Sequence, residues 1–210
     1  MVELVATVVG ILLLLLINEL YWRQHNVHDE FSRKFIHITV GSFVAFWPFF
    51  LSWREIELLS VAFFLVVAVS RYLNLFQAIH SVQRPTWGEL FFALAVGVIA
   101  LVTHDQWLYT AALLQMSLAD GLAAVIGVRF GKASRYRVFG QVKSVVGTFT
   151  FLIVSLAILV GYSIQAPGVS FSGALVGIAL IATIGENIGV MGSDNLLVPL
   201  LVAELLCRIS

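Results

Sequence analysis

Very little of this sequence is charged. Only 11% of its 210 residues are Asp, Glu, Lys or Arg, against 60% that are hydrophobic. Soluble domains carry roughly 25% charged residues, so an ordinary water-soluble domain is excluded. Neither sign is in excess: 12 basic and 12 acidic residues cancel, which removes any whole-molecule attraction to nucleic acid. The lone cysteine, Cys207, permits no internal disulfide. With only 4 prolines and no Gly/Ser-rich stretch there is no linker, and no internal repeat is visible. A single domain over residues 1–210 is expected. His/Cys spacings of a metal site and a nucleophile elbow are both missing. The N-terminus lacks the basic region and small-residue cleavage site of a signal peptide. Glu3 is its only early charge, and the run Val5 to Ile17 ends in Asn-Glu-Leu-Tyr-Trp-Arg. It reads as a first membrane helix.

What the chain has is long apolar runs, with a mean hydropathy of +0.98. A helix needs about 20 residues to cross a bilayer. About eight segments approach that length, near 3–21, 35–51, 56–72, 89–103, 107–128, 146–164, 168–187 and 195–209. The expected fold class is all-α, a polytopic transmembrane helical bundle of about 7–8 helices. Its basic residues are one-sided. Arg23, Arg33, Lys34, Arg71, Arg84, Arg129, Lys132, Arg135, Arg137 and Lys143 all fall in the first, third and fifth connections, leaving Arg54 and Arg208 for the other side. The positive-inside bias puts those connections in the cytoplasm and both termini outside.

Four polar clusters then share the cytoplasmic face: Glu30 to His37, Pro85 to Glu89, Asp120 to Gly147, and Glu186 to Pro199. Asp120 interrupts an apolar run, with Gln115 and Ser117 just before it. A carboxylate at bilayer depth costs about 2.5–3.5 kcal/mol on insertion scales, so it needs a cation, a partner or a cavity. A metal-binding or catalytic role and a packing ion pair both meet that need. Gly127-Val-Arg-Phe-Gly131-Lys132 has glycines that would let backbone amides approach a phosphate and a lysine to add charge. It is not a Walker A loop, since the spacing is one residue short and Ala133 stands where Ser or Thr would be. Two glycines four apart serve equally as a helix-packing face.

Lys132 and Lys143 suit a phosphate, while Arg129, Arg135 and Arg137 are accounted for by the positive-inside bias. Arg33, Lys34 and His37 open the second run and suit a phosphate clamp or an oriented base, or else a snorkelling charge pair. Glu89 opens the fourth helix, where the helix dipole also stabilises an acidic residue. Glu186, Asn187, Asp194 and Asn195 offer oxygen ligands of the kind magnesium prefers. No basic residue lies near them in sequence to pair with either acid. Pro199 follows inside an apolar run and is expected to kink it.

As an ordered set, these residues resemble the CTP-dependent lipid kinase family, which includes dolichol, phytol and farnesol kinases and a CTP-dependent diacylglycerol kinase. The pattern is Glu30-x-x-Arg33-Lys34-x-x-His37, Thr86-x-Gly88-Glu89, Asp120-x-x-Ala123-x-x-x-Gly127-x-x-x-Gly131-Lys132, Lys143-Ser144-x-x-Gly147, and Glu186 with Asp194-Asn195-Leu196-x-x-Pro199. Val145-Val146 departs from it, where an acidic residue often precedes the glycine. The middle block is similar to phosphatidate cytidylyltransferase as well, but that enzyme's C-terminal pattern is missing.

The resemblance implies phosphoryl transfer from CTP to a membrane lipid alcohol: a polyprenol or dolichol, a phytol-like alcohol or diacylglycerol. It implies Asp120, Lys132, Lys143 and His37 in catalysis. Arg33, Lys34, Glu89, Gly127, Gly131, Lys132, Lys143, Ser144 and Gly147 would line the nucleotide site. Asp120, Glu186, Asp194 and Asn195 would hold Mg2+ or another divalent cation. The lipid tail would enter between helices, along Phe43 to Phe50. The competing readings are a cytidylyltransferase and a small ion-coupled transporter. Gly173-x-x-x-Gly177 suits helix packing within the chain or in a homo-oligomer.

Overall fold

The computed structural model describes residues 2–25, 30–72 and 87–209. Among them are eight helices: α1 (Val2–His25), α2 (Glu30–Ala45), α3 (Trp53–Tyr72), α4 (Gly88–Val102), α5 (Gln106–Phe130), α6 (Val145–Gln165), α7 (Gly173–Ile188) and α8 (Asp194–Cys207). Their starts are written in local chemistry. Ser52 and Glu55 form a reciprocal capping box before α3: the Ser52 amide donates to Glu55 Oε2 at 2.9 Å and the Glu55 amide to Ser52 Oγ at 3.4 Å. Asp105 caps α5 by accepting from the Leu108 amide at 2.8 Å, and Ser144 caps α6 by accepting from the Gly147 amide at 3.1 Å.

The all-α expectation holds for every long segment, with one addition. Part of the expected basic loop is a two-stranded antiparallel hairpin, β1 (Arg135–Val138) and β2 (Gln141–Ser144). Phe139 and Gly140 at its tip have φ of 45° and 79°, the pair of positive values that a tight hairpin turn requires.

The helices pack closely where small residues allow it. Ser60 of α3 lies against Gly97 of α4, and Phe63 meets Phe92 with ring centroids 6.2 Å apart. One end of the bundle gathers the α2–α3 and α4–α5 turns. There Gln106 Nε2 donates to the Pro48 carbonyl at 2.6 Å, and Thr110 Oγ1 to the Ala45 carbonyl at 2.8 Å. Phe49 packs on Trp107 at 4.7 Å, so the Phe43 to Phe50 stretch lies at this end. The opposite end joins the starts of α2, α4, α6 and α8 to the ends of α5 and α7. The Trp87 amide donates to the Met191 carbonyl there at 3.0 Å.

Polarity is arranged inside out. Gln115, Ser117 and Ser155 are 0% exposed, while Leu12, Leu13, Leu16, Val66, Ile153 and Ile184 are each half or more exposed. Exposed large apolar side chains on four helices suit an apolar surrounding. Helices Gln106–Phe130 and Val145–Gln165 are long and apolar enough to cross a membrane. α4 and α8, with 15 and 14 residues, extend only about 21–23 Å at 1.5 Å per residue. Pro199 sits buried inside α8 and denies the Asn195 carbonyl its helical donor.

Candidate functional site

Asp120 owes its place to two features of α5. The first is a π-helical turn over Gln115–Ala119, immediately before it. One extra residue in a turn rotates the downstream residues by about 100° around the helix axis. The second is the absence of side chains where α2 crosses α5. A Cβ on Gly121 would overlap Ile38, and one on Gly41 would overlap Ser117. The close approach brings two side chains of α2 onto the carboxylate. Lys34 Nζ donates to Asp120 Oδ2 at 2.5 Å, both groups being buried. His37 Nε2 lies 3.9 Å from the same oxygen, beyond hydrogen-bond reach. It lies 3.1 Å from the Met116 carbonyl. A carbonyl only accepts, so Nε2 carries the proton. The edge-on ring of Phe92, at 5.4 Å, packs on the imidazole.

Glu186 closes α7 and Asp194 opens α8. The short connection between them turns through Met191 and Gly192, both at positive φ. Gly189 lets the two helix ends meet, since a Cβ there would stand 2.6 Å from that of Asp194. As a result Asp120, Glu186 and Asp194 each offer a carboxylate oxygen within 4.8 Å of the others. Asn195 donates from Nδ2 to the Gly88 carbonyl at 3.0 Å, while its buried Oδ1 has no hydrogen-bond partner among the described residues. The three carboxylates make an all-oxygen donor set. Such a set fits a hard divalent cation such as magnesium.

The sequence shows no basic residue near Glu186. The fold supplies one from 43 residues away, because Lys143 ion-pairs with the Glu186 carboxylate and donates to its main-chain carbonyl at 2.9 Å. Burial pulls the Lys143 ammonium down, but Glu186, Asp194 and Asp120 together outweigh it. The group is held above its ordinary value and stays charged. Three acids therefore face two lysines, Lys34 and Lys143.

The remaining expected residues fall around this centre. Glu89 is half-buried in the first turn of α4, beside Gly88. Lys132 is exposed in a one-turn 3-10 helix, Lys132–Ser134. The side chains of Glu30 and Arg33, and residues Pro85 and Thr86, lie outside the described residues. Gly127, Gly131, Ser144 and Gly147 form a seam between α5 and the start of α6. A Cβ on Gly127 would stand 2.9 Å from Ser144 Oγ and 3.2 Å from the Gly147 backbone, and one on Gly131 would overlap Ser144. This seam carries the chain from α5 through the hairpin to Lys143.

A polar cluster beside it takes Asn187, expected from sequence as an oxygen ligand, and joins it to Tyr136 and Thr148, which the sequence reading does not single out. The Tyr136 hydroxyl donates to Asn187 Oδ1 and meets Thr148 Oγ1 at 2.5 Å. A signal for it exists in the residues: Tyr136 alternates with Arg135 and Arg137 at the period of a strand, and a Phe-Gly turn comes soon after.

No family model and no solved structure matches the chain. The chain is 34% identical over 207 residues to the phytol kinase of Synechocystis sp., an alignment that covers 95% of this chain and 87% of that protein.

Proposed function

By that likeness the chain belongs to the phytol kinase family, and we propose that it is a membrane lipid kinase. It transfers a phosphoryl group from a nucleoside triphosphate, CTP, to the hydroxyl of a lipid alcohol. The observation that carries this reading is the buried centre in which Asp120, Glu186 and Asp194 meet Lys34 and Lys143. Phosphoryl transfer is mostly positioning and charge neutralisation, and this centre holds charges of both signs inside an apolar bundle. The acceptor is a phytol-like alcohol, a polyprenol such as dolichol, or diacylglycerol.

Asp120, Glu186 and Asp194, with Asn195, would hold Mg2+ or another divalent cation, which when bound neutralises phosphate charge. Lys34 and Lys143 pair with two of those carboxylates, Asp120 and Glu186. Released from them, each ammonium offers three N–H donors to phosphate oxygens. The exposed Lys132 would add its charge at the rim, with Arg33 and the Ser144 to Gly147 turn completing the nucleotide side. Alternatively one carboxylate, Asp120 as the first choice, takes the proton from the lipid hydroxyl instead of holding the metal, as the hydroxyl oxygen attacks the terminal phosphorus and the bond to the nucleoside diphosphate breaks. His37 holds the approach to Asp120 through its bond to Met116.

The apolar outer surface supports a polytopic placement in the bilayer. The concentration of Lys and Arg supports a site facing the cytoplasm, with both termini on the other side. Around Gly173 and Gly177 there is open space, which leaves room for a second copy.

Purified protein in lipid nanodiscs, given CTP, Mg2+ and a lipid alcohol, is expected to yield lipid monophosphate and CDP by mass spectrometry. No phosphorylated lipid from any alcohol and nucleotide pair would sink the kinase reading. Pyrophosphate release with phosphatidate would identify a cytidylyltransferase, the reading favoured by the shared Asp120, Gly131-Lys132 and Lys143 order.

A further inference from the structure

We propose that Tyr136 is a positioning residue for Lys143, holding the hairpin in place when Lys143 exchanges Glu186 for a phosphate. The inference rests on the reading that Lys143 handles the phosphoryl donor. Tyr136 and Lys143 stand directly opposite each other in the hairpin register, so their side chains leave the same face. That face is turned onto the end of α7. Lys143 reaches Glu186 and Tyr136 reaches Asn187, the next residue. Thr148, in the first turn of α6, shares its hydroxyl with this pair, 2.5 Å from the Tyr136 oxygen and 3.2 Å from Asn187 Oδ1. Asn187 is itself fixed, since its Nδ2 donates to the Thr183 carbonyl at 2.9 Å.

The opposite face of the hairpin is held at its base, where buried Ser144, opposite Arg135, donates to the Gly127 carbonyl at 3.5 Å and accepts from the Gly147 amide at 3.1 Å. Arg135, Arg137 and Val142 are exposed, and Phe139 at the tip is 76% exposed. A two-stranded hairpin is marginally stable alone. Among the described residues, the hydrogen bonds that tie residues 135–143 to the helices come from Tyr136 and Lys143. One of those two tethers is Lys143 itself, whose bonds to the Glu186 carboxylate and carbonyl are the ones given up in the proposed exchange. The other is neutral, does not involve the carboxylate cluster, and survives the exchange. Tyr136 thus keeps Lys143 within reach of the donor at the moment its own bond to Glu186 is gone.

The test is a double-mutant cycle on the full chain in nanodiscs, with Tyr136→Phe, Lys143→Arg and the double variant. The KM for CTP and for the lipid alcohol and kcat are read separately. Tyr136→Phe is expected to raise the CTP KM about 10-fold, the worth of one lost hydrogen bond to a half-buried amide. The lipid KM and the melting temperature should stay put. Asn187→Leu should reproduce the effect, and in the Lys143→Arg background it should largely vanish. Without nucleotide, amides of residues 135–144 should exchange hydrogen faster in Tyr136→Phe.

An equal rise in both KM values, a full effect retained beside Lys143→Arg, or unchanged hairpin exchange would each overturn the proposal. A wild-type CTP KM in Lys143→Arg and in Lys143→Met alone would instead remove the reading of Lys143 on which it rests, whatever Tyr136→Phe does.

Discussion

The two ends of the bundle hold their helix turns together in different ways. At the Pro48 end the contacts are neutral: Gln106 and Thr110 donate to main-chain carbonyls, and aromatic rings meet at Phe49–Trp107 and Trp53–His104. At the Asp120 end the contacts are charged and buried, with Lys34 on Asp120 and Lys143 on Glu186. Joining helices does not require charge, as the first end demonstrates. Burying an ion pair costs several kcal/mol of desolvation per ion, and apolar replacements are often as stable or more so. The proposed kinase function gives the charged end a use beyond packing. Its third acid, Asp194, sharpens the point, because the two lysines leave the three carboxylates with negative charge in excess. A divalent cation suits that excess.

The contrast breaks most visibly at Asp120. Asp120→Asn keeps the shape and removes the charge. It is expected to lower lipid phosphate formation by about 1,000-fold, the scale seen when a preorganised charge-stabilising group is lost, with the thermal transition retained. An active Asp120→Asn enzyme would make the centre structural, like the other end.

Lys34→Met should be nearly as severe and should report on the cation directly. It leaves the Asp120 carboxylate buried and unpaired, a loss of about 3–5 kcal/mol. Millimolar Mg2+ or Mn2+ should restore part of that stability, and nucleotide-free Mn2+ binding, monitored by paramagnetic resonance, should tighten. If the cation neither stabilises the variant nor binds it more tightly than wild type, the acids are not a cation site.

Gly121→Val is expected to cost about 1–3 kcal/mol as an overpacked contact. It should lower activity further than its stability loss explains, because it pushes Lys34 off Asp120. Activity unchanged at a temperature well below melting would separate the helix crossing from the chemistry. The smallest effect belongs to the neutral end. Gln106→Ala should cost about 1 kcal/mol of stability for one lost hydrogen bond and leave both KM values alone. A large loss of activity there would erase the distinction between the ends.

Much of this is legible in the residues. Helix positions come from run length. Asp120, Glu186 and Asp194 stand out because a carboxylate in an apolar run demands a partner, and their gathering at one end agrees with where Lys and Arg cluster. The partners themselves are not legible. Lys34 is one of three basic residues at a helix start, with Arg33 and His37, and Lys143 one of five basic residues in a loop. The pairings span 86 and 43 residues, distances at which local spacing carries no information. The hairpin is hidden because four-residue strands of basic composition look like a solvated loop. Phe43 to Phe50, expected beside the lipid tail, sits at the neutral end of the bundle, where Phe49 packs on Trp107 across a helix turn.

By itself the sequence determined the material of this protein: apolar helices in a fixed order, a few acids that cannot be buried alone, and a one-sided supply of basic residues. Those are set by transfer free energies, which are properties of each residue. Tertiary structure alone decided which lysine meets which acid, that three carboxylates come within reach of one ion, and that Tyr136 and Lys143 share a hairpin face turned onto α7. Those depend on a π turn ahead of Asp120 and on glycines that let helices touch. Such features act through the geometry of a crossing, and a crossing exists only once both helices are in place.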